Sequence, residues 1–556
     1  MLKTIQSDTM AKSSSKVQFI KNVASGWLAL FVTGIAGLVA LPLNLKYLGQ
    51  ELFSISALAI STLALFSFLN MGLQPTLLRF FSHALVAKDR KELQILSSIA
   101  QFLLGGLGFA GAVGFLCTFS WFVSFYDVPE TVRRDLFILY LAIAFDFWST
   151  LFLIPFSAII QGSNRFDIGN IRHCISKVVR VAVLFAGYSF FSPSLLILAA
   201  ATFAGTSYQL ISLTLLAYGI HGNSIIFHWN SLRWDRMPSL LSFSVLNLIY
   251  QVFLGLSIQL PTLIIGKTLG HDMVAAFYPA VVLSAFCTTI LMHVSAPLVP
   301  VASKDFVENK GKNFGRWAIL MGEITACIGC TIIVVFALLG SEIVTVWLGE
   351  TFAWTGTIVT IIVTGIVFSG IQATNYRLAL GGKFSIVPSA LSSGGIVVVV
   401  ALGTFLGTFY GGWSLPGVAV LITFARILGN AVFLSFSFSW QFGFRFADYT
   451  WNVYVKPLLV ILSVIGIFFL MDWLFEFSRG CFPSLDISFT LTTCFYSLKW
   501  PFVIRLLFFT TLMLASFCVA CVYLFLCWKF VLQNEVKHSL KNIVIKKFNK
   551  SQPHAE

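Results

Sequence analysis

Along the whole of this 556-residue chain, long apolar runs alternate with short polar breaks, most of them basic. A helix that crosses the hydrocarbon core of a bilayer needs about 20 apolar residues. The runs predict fourteen such helices: 22–44, 52–78, 94–120, 136–160, 171–191, 194–219, 240–266, 273–298, 315–339, 354–378, 385–407, 414–438, 453–473 and 505–530. The breaks leave no room for a separate soluble domain. The expected fold class is therefore all-α, a polytopic membrane protein. The apolar run from Val23 to Leu43 follows a polar start and is too long for the core of a signal peptide.

Composition agrees with the pattern. The chain is 58% hydrophobic and 10% charged, whereas soluble domains carry about 25% charged residues. A soluble enzyme and a disordered chain are both excluded. The formal charge of +14 would suggest a nucleic-acid partner in a soluble protein. Here the positions of Lys and Arg explain it. With the N-terminus inside, 28 of the 36 fall on inner loops, inner span ends and the tail, seven fall outside, and Arg426 is mid-span. That asymmetry is the one expected for cytoplasmic loops. It predicts both termini in the cytoplasm and needs no nucleic acid.

The chain also repeats itself. Leu41-Pro42, Leu48-Gly49-Gln50-Glu51 and Pro75 are answered by Leu260-Pro261, Leu269-Gly270-His271-Asp272 and Pro297. Six spans per copy is an even number, so both copies enter from the same side as a parallel repeat, an arrangement used by transporters. The expected organisation is a cytoplasmic segment 1–21, a six-helix lobe 22–220, a linker 221–239, a second six-helix lobe 240–440, two extra helices in 441–533 and a basic tail 534–556.

Tyr47-Leu48-Gly49-Gln50-Glu51-Leu52-Phe53-Ser54, Asn70-Met71-Gly72-Leu73 and Arg79 after Pro75 resemble the polysaccharide-export flippases of the Wzx type. These belong to the multidrug/oligosaccharidyl-lipid/polysaccharide exporter superfamily. Leu269-Gly270, Ala275-Ala276-Phe277-Tyr278 and Pro297 continue the likeness in the second lobe. The resemblance implies a transporter of the bacterial inner membrane, working by alternating access. Its cargo would be a polyprenyl-pyrophosphate-linked oligosaccharide for surface polysaccharides such as O-antigen. Neighbouring glycosyltransferases and a polysaccharide polymerase would be its partners, H+ or Na+ its coupling ion. No cofactor, metal or enzymatic step is expected. The rival within the superfamily is a cation-coupled multidrug antiporter. An integral-membrane glycosyltransferase or polymerase is a more distant rival, since the longest outer loop, 474–504, holds only Glu476 and Asp486 as acids.

Few residues within the spans carry chemistry. Gly106-x-Gly108-x-x-Gly111 matches a dinucleotide fingerprint but lies mid-span with no preceding strand. Gly105, Gly108, Gly111 and Gly114 are better read as a surface for close helix packing. Cys327-x-x-Cys330 and Cys518-x-x-Cys521 lie in apolar spans without His or Asp partners and read as small apolar residues; Cys481 and Cys494 share one polar loop and are candidates for a disulfide. The fifth span is more informative. Its uninterrupted apolar part, Val181–Phe191, is too short to cross, which draws His173, Lys177 and Arg180 into the membrane on one helical face. Charges at such depth are costly and face a cavity or a partner. The stripe either lines a cavity that receives a pyrophosphate, or Lys177 snorkels and Arg180 pairs with an acid. Arg426 is a second candidate cavity cation, and Arg79 either meets phosphate at the inner mouth or snorkels. Asp146 and Glu323 are candidates for ion coupling or for structural pairing with Arg. His293 reads as a hydrogen-bonded packing residue.

Overall fold

The computed structural model describes residues 2–466, apart from short stretches within 67–72, 234–244, 296–311 and 464–465 and single positions such as 88 and 383. The expected helix 505–530, the loop 474–504, and Cys481, Cys494, Cys518 and Cys521 lie outside the described residues, as does the second half of the span 453–473. The described residues form helices and no strands, and eleven of these helices are long and apolar enough to cross a membrane. Helices satisfy every backbone group internally, which is what hydrocarbon demands. The chain is a multi-pass membrane protein.

The helices that matter for function are α1 (Leu2–Ala64), α2 (Leu73–Val86), α3 (Arg90–Cys117), α4 (Phe119–Phe125), α5 (Glu130–Gly162), α6 (Phe166–Phe190) and α7 (Leu195–His221). They are followed by α8 (Val245–Thr268), α9 (His271–Ser295), α10 (Phe314–Leu348), α11 (Thr355–Gly381), α12 (Val387–Phe409) and α13 (Leu415–Arg426). A π-helical stretch, Ile427–Leu434, joins α13 to α14 (Ser435–Phe442). Contacts divide the chain into two compact units, Met1–Tyr278 with Val397–Gly412, and Pro279–Ile396 with Trp413–Glu556.

Several boundaries differ from the sequence expectation, among them that of the span 52–78, where one helix ends at Ala64 and the next begins at Leu73, and that of 315–339, which extends to Leu348. The first two predicted spans were separated by a loop at 45–51; the structure has only a break at Gly49, whose φ of 75° is open to glycine and costly to other residues. The fifth span begins at Phe166 rather than near Ile171, which puts Arg180 about 21 Å from its N-terminal end. The glycine surface on α3 packs against α5 as expected: a Cβ on Gly108 would lie 3.2 Å from the Leu151 side chain and 3.3 Å from the Trp148 carbonyl.

Backbone geometry carries the internal repeat further than the sequence does. Gly49 (φ 75°) is answered by Gly270 (φ 89°), Asp127 (φ 53°) by Gly349 (φ 103°), and Gly222 (φ 59°) by Gly443 (φ 71°). Ser194 and Ser414 precede α7 and α13 in extended conformation. Each pair is 220 to 222 residues apart.

Within the first unit, the end of α8 and the start of α9 are tied to α1 and to the turn after α4. The Ser54 hydroxyl donates to the His271 carbonyl at 2.6 Å, and the Tyr126 phenol to the Leu263 carbonyl at 3.0 Å. Burial pushes the Tyr126 phenol well above the usual tyrosine range, so it remains a donor. Lys267 pairs with Asp127 at 3.2 Å and lies 5.1 Å from the centre of the Phe125 ring.

Candidate functional site

The cationic stripe of the sequence lies on α6. Its Ile171, Ile175, Val178 and Phe185 are exposed apolar residues, one continuous stripe at spacings of four, three and seven. In a membrane protein that stripe meets lipid. His173, Lys177 and Arg180 each stand two residues further along, about 200° around the helix. These three side chains therefore face inward, and all are half-buried.

Helix α7 lies antiparallel against this face. Its Thr202, Thr206 and Gln209 have the same spacing of four and three as the cations. Arg180 Nη2 donates to Thr202 Oγ1 at 2.8 Å, Ser176 Oγ to Gln209 Oε1 at 3.2 Å, and Gln209 lies beside the His173 ring. The helices approach closely at Gly205, where a Cβ would stand 3.0 Å from the Ser176 carbonyl oxygen and 3.1 Å from Arg180 Cβ. Helix α5 adds Asp146, half-buried, which accepts a hydrogen bond from the Thr206 hydroxyl. No ion pair within 4 Å joins Asp146 to His173, Lys177 or Arg180 among the described residues. Lys177 makes no hydrogen bond among the described residues, and Tyr278 of α9 lies within reach of the Arg180 charge. The cluster sets two basic side chains, Lys177 and Arg180, against one carboxylate, so basic groups outnumber acidic ones. Lys177 and Arg180 hold unused donors in it, which suit an anion.

The fold does not require these charges. At the same place in the second repeat, 221 residues on, His173, Lys177, Arg180 and Asp146 are replaced by Gly394, Val398, Ala401 and Val367. The charged cluster is thus an addition to one repeat.

The remaining sequence candidates belong to other elements. Arg426 and Glu323 belong to the second unit, where both are fully buried. Arg426 Nη1 donates to Ser369 Oγ at 3.0 Å, which also accepts from Asn430 Nδ2 at 3.0 Å. Glu323 follows Gly322, which packs against the Tyr449 ring. Tyr449 belongs to a buried network in which Asn375 reaches it at 3.0 Å and Gln372 reaches Tyr454 at 2.7 Å. Arg79 lies on α2, and its side chain is outside the described residues. His293 is exposed and bonds the Thr289 carbonyl of its own helix at 2.8 Å. Cys327 and Cys330 are buried in α10. No group of three His, Cys, Asp or Glu with metal-binding geometry occurs among the described residues.

Helix number, the internal repeat and the inward cationic face define the class: a polytopic membrane protein with a transporter fold. Solved structures with the same fold make this particular. An inward-facing multidrug resistance MATE family transporter of the MOP superfamily superposes with a TM-score of 0.63 at 11% identity, covering 74% of this chain and 94% of that one. The lipid II flippase MurJ, in an inward closed conformation, gives 0.60 at 15% identity, covering 89% and 97%. A MOP superfamily transporter from Pyrococcus furiosus, described as having a binding pocket of reverse polarity, gives 0.52 at 11%, covering 77% and 94%. No protein family model matches the chain, and no curated protein matches it in sequence. The chain has the fold of the MOP-superfamily transporters, and the proteins it resembles are transporters and flippases rather than enzymes.

Proposed function

We propose that this protein flips a polyprenyl-pyrophosphate-linked oligosaccharide across the cytoplasmic membrane for surface polysaccharide synthesis, with Lys177 and Arg180 holding the pyrophosphate. The observation that carries the reading is the inward, basic face of α6, whose charges have no counterpart in the second repeat. Burying two cations beside a single acid is costly, and a substrate that brings its own negative charge offsets that cost. His173 borders the same face; Arg79, Arg426 and coupling through Asp146 or Glu323 to H+ or Na+ belong to the same reading, as do both termini in the cytoplasm and service to a polymerase and glycosyltransferases. The resemblance of Tyr47–Ser54 to the Wzx-type flippases supports it.

Losing one charge-assisted contact costs about 1.5–3 kcal/mol, roughly ten- to hundred-fold in affinity. Arg180→Gln should therefore nearly abolish glycan export and lipid-carrier binding at normal protein level. Arg180→Lys should rescue only in part, because a point charge replaces a planar fork. Normal export by Arg180→Gln at normal expression overturns the reading.

The second reading, a cation-coupled multidrug antiporter, draws on Asp146, a half-buried carboxylate on the same face. It expects export of cationic drugs that Asp146→Asn abolishes and Arg180→Gln spares, the reverse of the flippase expectation.

A further inference from the structure

Two cations and a carboxylate share one half-buried face, yet they do not pair. Asp146 is close enough for its charge to act on both Lys177 and His173. Attraction between opposite charges strengthens as water is removed, so a free carboxylate in this position would move into contact with the ammonium or the guanidinium. A competing bond holds it back. The Thr206 hydroxyl donates to Asp146 Oδ1, and no other hydrogen bond of that hydroxyl occurs among the described residues. One turn away on α7, Thr202 Oγ1 gives its proton to the Leu198 carbonyl at 2.8 Å, so it can only accept from Arg180. Helix α7 thus presents an acceptor to the cation and a donor to the anion, four residues apart on one face. The two charges are held by separate neutral groups instead of by each other.

We propose that Thr206 is a positioning residue that sets the selectivity of this face for anions: by holding Asp146 it keeps the carboxylate from neutralising Lys177 and Arg180. This rests on the reading of those two residues as the ligands of the anionic head. Without the hydroxyl, Asp146 turns to the cations, and an incoming diphosphate must first displace an internal carboxylate. Thr206 has no charge and need not touch the substrate, so its removal acts only through Asp146. Removing the Asp146 charge as well then cancels the defect.

The test is titration of the full-length protein in detergent with farnesyl diphosphate as the probe. Thr206→Val, nearly equal in volume, should weaken binding about tenfold or more, the scale of one charge-assisted hydrogen bond. Thr206→Ser, which keeps the hydroxyl, should stay close to the parent. Thr206→Val combined with Asp146→Asn should recover most of the loss, a non-additive result that general loosening of α7 does not give. Should Thr206→Val fail to fold, Thr206→Ala removes the hydroxyl without adding volume and takes its place in each arm. Parent-like binding by the hydroxyl-free variant overturns the proposal, and so does a double variant no better than the single one. The variant carrying Lys177→Gln and Arg180→Gln separates the two levels. If it loses the probe while Thr206→Val does not, the anion site stands and the role of Thr206 falls. If it binds the probe like the parent, the anion site itself falls.

Discussion

At the scale of residues, the cations of α6 were legible because charge stands out in an apolar run and their spacing fixes one face. Their setting was not legible. Thr202, Thr206 and Gln209 repeat the same spacing on α7, but hydroxyls and amides are ordinary inside spans, and nothing in the sequence pairs the two helices in register. Gly205 was also silent, although it lies where α7 meets the backbone of α6. Its neighbour at 3.0 Å is a backbone carbonyl, which cannot swing away. Gly205→Leu should thus push α6 outward, costing about 1–3 kcal/mol by overpacking, and should weaken diphosphate binding as much as Arg180→Gln does. Gly219→Leu on the same helix meets nothing within 4 Å and should leave both unchanged. Thermal unfolding and ligand titration of the two variants side by side check this.

At the scale of elements, apolar runs located the helices well because a bilayer leaves the backbone no other solution. The ends were less legible, since polar residues can extend a helix beyond the apolar core. That is why α6 reaches back to Phe166 and why a single glycine, rather than a loop, ends the first span. The α8–α9 hairpin shows which contacts hold elements together. The Lys267–Asp127 pair is solvent-exposed on both sides, and such pairs contribute about 0–1 kcal/mol. Gly266 instead lies against Leu58 and Tyr126, where an added Cβ would stand 2.6 Å and 3.1 Å from their side chains. We expect Lys267→Ala to leave the unfolding temperature nearly unchanged, with no added dependence on salt. Gly266→Leu should lower it by several degrees. Comparable losses in the two variants would show that charge, not packing, fastens the hairpin.

At the scale of the whole molecule, the repeat was visible in only two stretches of sequence, yet the backbone shows it at four turns. Side chains diverge freely wherever lipid or another apolar group is the neighbour, while a turn needing positive φ keeps its geometry. The repeats also differ in helix length. The sixth helix of the first repeat, α7, has 27 residues, and its counterpart Leu415–Phe442 has 28. The counterpart is also the helix that contains the π-helical stretch Ile427–Leu434. A π turn takes up one extra residue without rotating the rest of its helix, whereas a residue added to a regular α-helix turns everything beyond it by about 100°. Deleting Leu428 should therefore turn the stretch into ordinary α-helix and leave a folded protein of near-normal unfolding temperature. Deleting Phe203 from α7 should prevent folding. The widened turn beside Arg426 then absorbs the one residue by which the offset between the repeats grows, from 220 at Ser194 and Ser414 to 221 at Gly222 and Gly443.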